Sequence, residues 1–353
     1  MKIKDFIDYE QPTDYIVESD RYSDKYETPV LTAGQSFVLG YTNEKEGIYN
    51  KNSCIIFDDF TTSVHYVDFP FKVKSSAMKI LTSKRDADLK YCYYLLLSLS
   101  KMPPNHKRQW ISTTSEKDHS LPSTENQVTI VKQLDLISKT ITWYKKQIEN
   151  LDVLVRSRFV EMFGDAIQND KGWKTDTVDN LCKDICGGGT PSKAHPEYYE
   201  DGDIPWVSSK DMKTDVLIDS QIKINQLGID NSMAKIVPTN SVIMVIRSGI
   251  LKHTLPIAIN AVPITVNQDL KVFIPSERIL TRFLAVQFKM QEKDILSGVR
   301  AVTADNLEFN SLKQRMLIVP PVDLQEQFVE FVEGIAKSKL TLCRYNVMEY
   351  KCE

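Results

Sequence analysis

The sequence predicts a mixed α/β (α+β) chain in which two related globular units are separated by two long helices that pair as an antiparallel coiled coil. Three observations predict it: an internal repeat in fixed order, two apolar seams at helical spacing, and a length of 353 residues, which suits two ordinary domains better than one.

The repeat comes first, because a duplication missed misassigns the whole fold. Thr28-Pro-Val-Leu-Thr32 resembles Ile204-Pro-Trp-Val-Ser208 at an offset of 176. Asn52-Ser-Cys-Ile-Ile-Phe57 resembles Asn240-Ser-Val-Ile-Met-Val245 at 188, and Met78-Lys-Ile-Leu81 resembles Leu270-Lys-Val-Phe273 at 192. A proline-containing stop before a helix recurs at about 200, setting Gln127 against Gln327. Offsets that drift slowly in one direction are what loop insertions between shared elements produce. The short apolar runs at 54–57, 242–246 and 270–274 read as strands. Gly187-Gly-Gly189, Asp201-Gly202 and Pro103-Pro104 read as the turns that separate such runs.

The long helices follow. Residues 123–163 contain neither Gly nor Pro. Within them Gln127, Ile130, Leu134, Ile137, Ile141, Tyr144, Ile148, Leu151, Val155, Arg158 and Met162 recur at unbroken 3-4 spacing, a coiled-coil seam. Thr124 with Gln127 fits a capping box at its start. The second seam is Leu324, Phe328, Phe331, Ile335, Ser338, Leu342, Tyr345 and Glu349. The expected organisation is a globular unit at 1–121, a helix at 122–165, a second unit at 166–320 and a second helix at 321–353. At the offset of 200 Glu353 aligns with Val153, so the second helix is expected to lack a counterpart of 154–165.

Composition sets bounds on function. Apolar residues make up 42% and charged residues 26%, a globular balance. The longest apolar stretch, 91–97, is far short of the ~20 residues that cross a bilayer, and the first residues lack a signal-peptide core; the expectation is no membrane and a cytoplasmic chain. The six cysteines form no C-x-x-C pair, so reduced thiols and no metal are expected. Net charge is −3, which excludes a uniformly basic nucleic-acid binder. Residues 1–60 carry 6 basic and 12 acidic side chains, whereas 61–120 carry 10 and 5; a local positive field suffices to attract a polyanion.

Traces of catalysis are missing. Gly187-Gly-Gly-Thr-Pro-Ser-Lys193 is not a phosphate loop, because Ser192 precedes the lysine and Pro191 interrupts the row of amides. The Pro-Pro pairs at 103–104 and 320–321 lack the flanking residues of an amino-methyltransferase motif. No G-x-G-x-x-G is present, and the five histidines are dispersed. No catalytic residue and no cofactor bound by this chain are expected.

With repeat, seams and missing catalysis together, the chain resembles the DNA specificity subunits of type I restriction–modification systems over nearly its whole length. In the second half, Gly188-Gly-Thr-Pro-Ser192, Pro196-Glu-Tyr-Tyr199, Ile204-Pro-Trp-Val-Ser-Ser-Lys-Asp211, Arg247-Ser-Gly249 and Asn267-Gln-Asp-Leu-Lys271 are similar to that family's target-recognition domain. In the first, Thr28-Pro-Val-Leu-Thr-Ala-Gly34, Gly40-Tyr41 and Phe57-Asp-Asp-Phe-Thr61 resemble another subtype. The resemblance implies two recognition domains, each reading half of a split site on double-stranded DNA. The helices then fix the gap and dock two methyltransferase subunits, a motor-nuclease subunit joins for cleavage, and S-adenosylmethionine sits on the methyltransferase. The rivals are a type II specificity subunit with a fused methyltransferase-nuclease partner, an autonomous DNA methyltransferase, and a coiled-coil scaffold. A second helix cut short would make two methyltransferases bind with unequal affinity.

Base edges are read by donors and acceptors, and phosphates are held by cations. Candidates therefore lie in loops at aligned places in both halves. After the central strand, Asp59 aligns with Arg247: a carboxylate accepts from cytosine and an arginine forks onto guanine. Thr61, Thr62, Ser63, Ser248 and Lys252 are their neighbours. Before each helix, Lys107, Arg108 and Arg300 are candidate phosphate contacts and Gln109 a base contact, with Trp110 expected in the core. The turns after the first shared strand add Thr32, Gln35, Ser208 and Lys210. The residues expected to pair the helices are Leu134, Ile137, Ile141, Tyr144, Ile148 and Leu151 with Phe328, Phe331, Ile335 and Leu342.

Overall fold

The computed structural model describes residues 1–32, 36–84, 86–101, 108–301 and 305–349, and of 300, 301, 305 and 343–349 only the backbone. The chain forms two compact units, Met1–Trp143 and Tyr144–Glu353.

The first unit is built on β4 (Cys54–Asp58), whose residues are all buried. An unbroken run of Cys-Ile-Ile-Phe suits a strand covered on both faces. Pleating sends Ile55 and Phe57 to one core, with Ile7, Leu81, Cys92, Leu96 and Trp110. It sends Cys54 and Ile56 to another, with Leu31, Tyr49, Phe71, Val73 and Ile80. The remaining elements are β1 (Ile7–Glu10), β2 (Thr28–Leu31), β3 (Val38–Thr42), β5 (Val64–Val67), β6 (Lys72–Val73), β7 (Met78–Ser83), α1 (Leu89–Leu99) and the long α2 (Thr124–Phe163). They make an antiparallel sheet of order β1-β7-β4-β5 and a small sheet of order β3-β2-β6 in which β2 and β6 run parallel.

The second unit repeats this plan. Its elements are β8 (Thr175–Thr177), α3 (Val178–Leu181), β9 (Cys182–Gly187), β10 (Ile204–Val207), β11 (Val216–Leu217), β12 (Ile222–Ile224), α4 (Gln226–Asp230), β13 (Val242–Val245), β14 (Ile257–Asn260), β15 (Thr265–Val266), β16 (Leu270–Pro275), α5 (Thr281–Met290), α6 (Glu292–Ser297), β17 (Arg300–Ala301), β18 (Asp305–Asn306), α7 (Phe309–Lys313), β19 (Met316–Ile318) and α8 (Val322–Glu349). The order β9-β16-β13-β14 reproduces β1-β7-β4-β5, with β11 added beyond β14, and β12-β10-β15 reproduces β3-β2-β6. The parallel pairs correspond, Val30–Lys72 to Trp206–Thr265, and in the central pairs Ile56 faces Ile80 as Ile243 faces Val272. The offsets of 176 and 192 follow structurally equivalent residues, whereas the 188 of the central strand is corrected to 187: Asp58–Met78 corresponds to Val245–Leu270, so Asp59 is the counterpart of Ile246 and Phe60 that of Arg247.

The offset of 200 requires correction to 198. Gln325, not Gln327, is the counterpart of Gln127. Both are fully buried, whereas Gln327 is exposed. The capping box expected between Thr124 and Gln127 is replaced accordingly. Ser123 caps α2 through a 3.4 Å hydrogen bond from Asn126 N, and the Gln127 side chain points to α1 instead. Glu353, expected to align with Val153, lies outside the described residues.

Within the second unit α8 packs antiparallel on the C-terminal part of α2. Phe159 and Phe163 meet Phe328 with ring centroids 5.6 and 5.5 Å apart, Arg158 lies 5.9 Å over Phe331, and Asp152 pairs with Lys339. The paired numbers rise on one helix as they fall on the other, which defines the direction. Full burial on α2 here falls on Phe159 and Phe163, beside the expected seam, and Leu134, Ile141, Tyr144, Ile148 and Leu151 are half-buried. Ile137 departs from the expectation and is exposed. On α8, Phe328 is buried and Phe331, Ile335 and Leu342 are half-buried. No helix is long and apolar enough to cross a membrane among the described residues.

Candidate nucleic-acid interface

Three loops expected to carry the contacts are joined by backbone hydrogen bonds, in the same way in each unit. In the second unit Asn267 N donates to Val207 O (3.0 Å), which ties the turn after β10 to the chain leading into β16. Ile246 N donates to Asp269 O (2.9 Å), and Leu307 N donates to Ile246 O (2.9 Å). Asn306 is bridged on one side to Arg247 and paired on the other with Arg300, so the loop after β13 and the β17–β18 hairpin meet at Asn306. In the first unit Lys74 N donates to Leu31 O (2.8 Å), Asp59 N to Ala77 O (3.0 Å) and Gln109 N to Asp59 O (2.8 Å). One frame carries both loop clusters, and different side chains hang on it.

Those side chains behave differently. Arg247 is exposed, and its Nε donates to Asp269 Oδ1 (2.6 Å). Asp269 Oδ2 accepts from Asn267 Nδ2 (3.1 Å). Ser248 caps the short turn at Gly249–Lys252 by accepting from Ile250 N, and Lys252 stands exposed on that turn. Ser208 donates from its hydroxyl to Asp211 Oδ2 (2.8 Å), which shapes the turn that exposes Lys210. Arg300 is placed by its backbone in β17.

Asp59, expected to align with Arg247, is instead the counterpart of the buried Ile246 and does not stand on the exposed surface. It is fully buried, as is Lys79, whose Nζ lies 3.2 Å from Asp59 Oδ2. Trp110 N donates to Asp59 Oδ1 (2.8 Å), so this carboxylate pins the chain before α2 onto the loop after β4. Oδ2 has no aligned hydrogen bond and is balanced by the ammonium alone. Thr62 is also buried. Its φ of 59° places a β-branched residue in the left-handed region. Its hydroxyl donates to Lys101 O (3.1 Å) and accepts from Lys101 N (3.2 Å), holding that turn against the end of α1. Gln109 is buried and its carbonyl accepts from Thr113 and Thr114, so it supports the π-helical turn at Trp110–Thr114. Trp110 packs edge-on against Phe57 at 5.3 Å, as expected of a core residue. Thr61 donates its hydroxyl proton to Asp58 and accepts from Ser63 N (3.3 Å) within a half-buried turn. Thr32 is half-buried, its N–H bonded to Phe37 O, and Arg108 is exposed. Gln35 and Lys107 lie outside the described residues.

Polar residues absent from the expected set border this cluster. Thr190 donates to Gln268 Oε1 (2.7 Å), and both are exposed. Asn267, Asp269 and Asn306 complete the group. The legible signal was the polar run 267–269 directly before the apolar strand at 270. The glycines before Thr190 serve close packing: a Cβ on Gly188 would stand 1.7 Å from Val266 O, and one on Gly189 2.6 Å from Met233 Cβ.

A family described as the type I restriction modification DNA specificity domain matches residues 170–344. The chain is 38% identical over 344 residues to the type I restriction enzyme EcoR124I/EcoR124II specificity subunit of Escherichia coli, covering 92% of this chain and 83% of that protein. It is 24% identical over 242 residues to the type I restriction enzyme MjaIX specificity subunit of Methanocaldococcus jannaschii, covering 64% and 55%. Among solved structures, the type I restriction–modification S subunit from M. genitalium superposes with a TM-score of 0.58 at 14% identity, over 99% of this chain and 91% of that one. A chain from a structure on complex assembly and conformational transition of the type I system gives 0.51 at 13%, over 98% and 93%. At these identities the two structures speak for the fold alone.

Proposed function

The chain belongs to the type I restriction–modification DNA specificity subunits, and from that premise we propose that each unit reads one half of a split double-stranded DNA site while this chain performs no chemistry itself. The observation that carries the proposal is the shared frame. The bonds Lys74–Leu31, Asp59–Ala77 and Gln109–Asp59 recur as Asn267–Val207, Ile246–Asp269 and Leu307–Ile246, yet the exposed side chains differ. Two different half-sites require that combination of a constant scaffold and divergent donors and acceptors.

In this reading Arg247, Asn306, Gln268 and Thr190 face base edges in the second unit. Lys210, Lys252 and Arg300 hold phosphates there, and Arg108 does so in the first. The long helices carry two methyltransferase subunits, which bring the S-adenosylmethionine, and a motor-nuclease subunit joins for cleavage in the cytoplasm. The test is adenine-methylation mapping in cells that express this chain with its methyltransferase. A motif of two short halves with a fixed gap is expected. Arg247→Ala should relax one half and leave the other unchanged, and relaxation of both halves would overturn the division of labour.

A further inference from the structure

We infer that Asp269 is the positioning residue of a base-reading arginine: its carboxylate clamps one side of the Arg247 guanidinium and leaves the forked edge facing outward for guanine. The inference deepens the proposed DNA reading by the second unit and rests on it.

The geometry carries it. Arg247 Nε and Nη2 both lie 2.6 Å from one oxygen, Asp269 Oδ1. A single oxygen therefore sits in the notch between the two nitrogens. The other oxygen is held back by Asn267 Nδ2, and Asn267 is itself buried and accepts from Asp269 N (3.1 Å). The Asp269 carbonyl also receives Ile246 N (2.9 Å) and Arg247 N (3.2 Å). Both the backbone and the side chain of Arg247 are thus referenced to the same residue. Among the described residues Nη1 has no partner, so the edge formed by Nη1 and Nη2 remains for a ligand. That edge matches guanine O6 and N7. The arginine side chain is 46% exposed and the aspartate 24%, so the clamp lies below and the fork above.

The first unit supports the assignment by contrast. The position equivalent to Asp269 is Ala77, which has no carboxylate to clamp with, and the position equivalent to Arg247 is the half-buried Phe60. Reader and clamp are both present in the second unit and both missing in the first. Stability alone is a weak reason for such a pair, because exposed ion pairs contribute little. Pre-orientation is a stronger one, since an arginine already held loses less side-chain freedom on binding.

The test uses the full chain assembled with its methyltransferase subunits, and duplexes in which each base pair of the half-site read by the second unit is changed in turn. Arg247→Ala is expected to abolish preference at one G·C pair, a loss of roughly 5- to 150-fold in discrimination. Arg247→Lys, which keeps the charge and loses the fork, should lose the same preference with overall affinity nearly held. Asp269→Ala should weaken preference at that pair only, and add nothing in the Arg247→Ala background. Asp269→Asn should fall between. Because Asp269→Ala removes a negative charge, affinity for unrelated duplexes should rise. A uniform loss across all duplexes, an effect at a different base pair, or additivity with Arg247→Ala would each overturn the clamp. If Arg247→Ala is selective and Asp269→Ala is silent, the clamp alone falls. If neither Arg247 variant alters any preference, the reading by Arg247 falls with it.

Discussion

Gln127 and Gln325 occupy one and the same position in two copies of a unit. Gln127 Oε1 accepts from Asp88 N (2.8 Å), while its Nε2 donates to Asp86 O (3.1 Å) and Pro122 O (2.8 Å). Gln325 Oε1 accepts from Leu280 N (3.0 Å), and its Nε2 donates to Arg278 O (3.1 Å) and Pro320 O (2.8 Å). Each glutamine binds the chain just before the domain helix, α1 or α5, to the proline turn that launches a long helix. A neutral amide is the side chain for this place, because it alone accepts at one end and donates twice at the other.

Gln127→Ala and Gln325→Ala should therefore each destabilise the protein by roughly 1–3 kcal/mol for the orphaned donor alone. Gln127→Glu should cost at least as much, since a carboxylate cannot donate to the two carbonyls. Chemical denaturation gives the magnitude, and hydrogen exchange at the Asp88 and Leu280 amides gives the location. Unchanged protection of Asp88 in Gln127→Ala would refute the lock.

Much of the fold was legible because buried strands leave continuous apolar runs: β7 and β16 could be aligned by theirs, and β4 and β13 to within one residue. The helix offset was misjudged by two residues, because a glutamine's role is set by burial, which the letters around Gln325 and Gln327 do not distinguish. Asp59 was misread for a similar reason: a carboxylate after a strand looks solvated. The missed signal was Lys79, a lysine within the apolar run of β7, where a charge requires a partner. That Arg247 could pair with an internal carboxylate was legible, but not which one, since Asp269 reaches it from 22 residues away.

Breaking the buried Asp59–Lys79 pair from one side should cost about 3–5 kcal/mol, because the remaining charge is left without a counter-ion. Asp59→Asn and Lys79→Met should each lower the denaturation midpoint, and the double variant should recover most of the loss. Base preference, measured on refolded material, should not move. A shifted recognition motif in Asp59→Asn at unchanged stability would return this residue to the reading surface.

Burial pushes the thiols of Cys54, Cys92 and Cys182 up to about 12. The ordinary value is about 8.5, so the folded state favours the neutral thiol. The associated stability is complete below the unfolded value and is lost progressively as pH rises from about 9 towards 12. Alkylation at pH 8.5 should be slow at all three positions in the folded chain and rapid in denaturant, as read by peptide mass spectrometry. Equal rates at Cys54 in the two states would contradict its burial.

The last prediction concerns α2. In the first unit Asp135 on this helix accepts from Lys90 Nζ (2.6 Å) and Tyr94 OH (2.8 Å), and the Lys90 ammonium holds its carboxyl below the usual range. In the second, Asp152 pairs with Lys339. The turns of helix from 139 to 147 carry neither attachment, so an insertion there lengthens α2 without breaking them. Four residues add ~6 Å and turn the helix by roughly 40°, whereas seven add ~10 Å and turn it by only about 20°. If the helix sets the gap in the split site, methylation mapping should show both half-sites unchanged and the gap widened by about two and about three base pairs, at ~3.4 Å per step. The seven-residue variant should retain the higher activity, because its apolar face stays closer to its original direction. A variant that still methylates at the original gap would show that the spacing is set elsewhere.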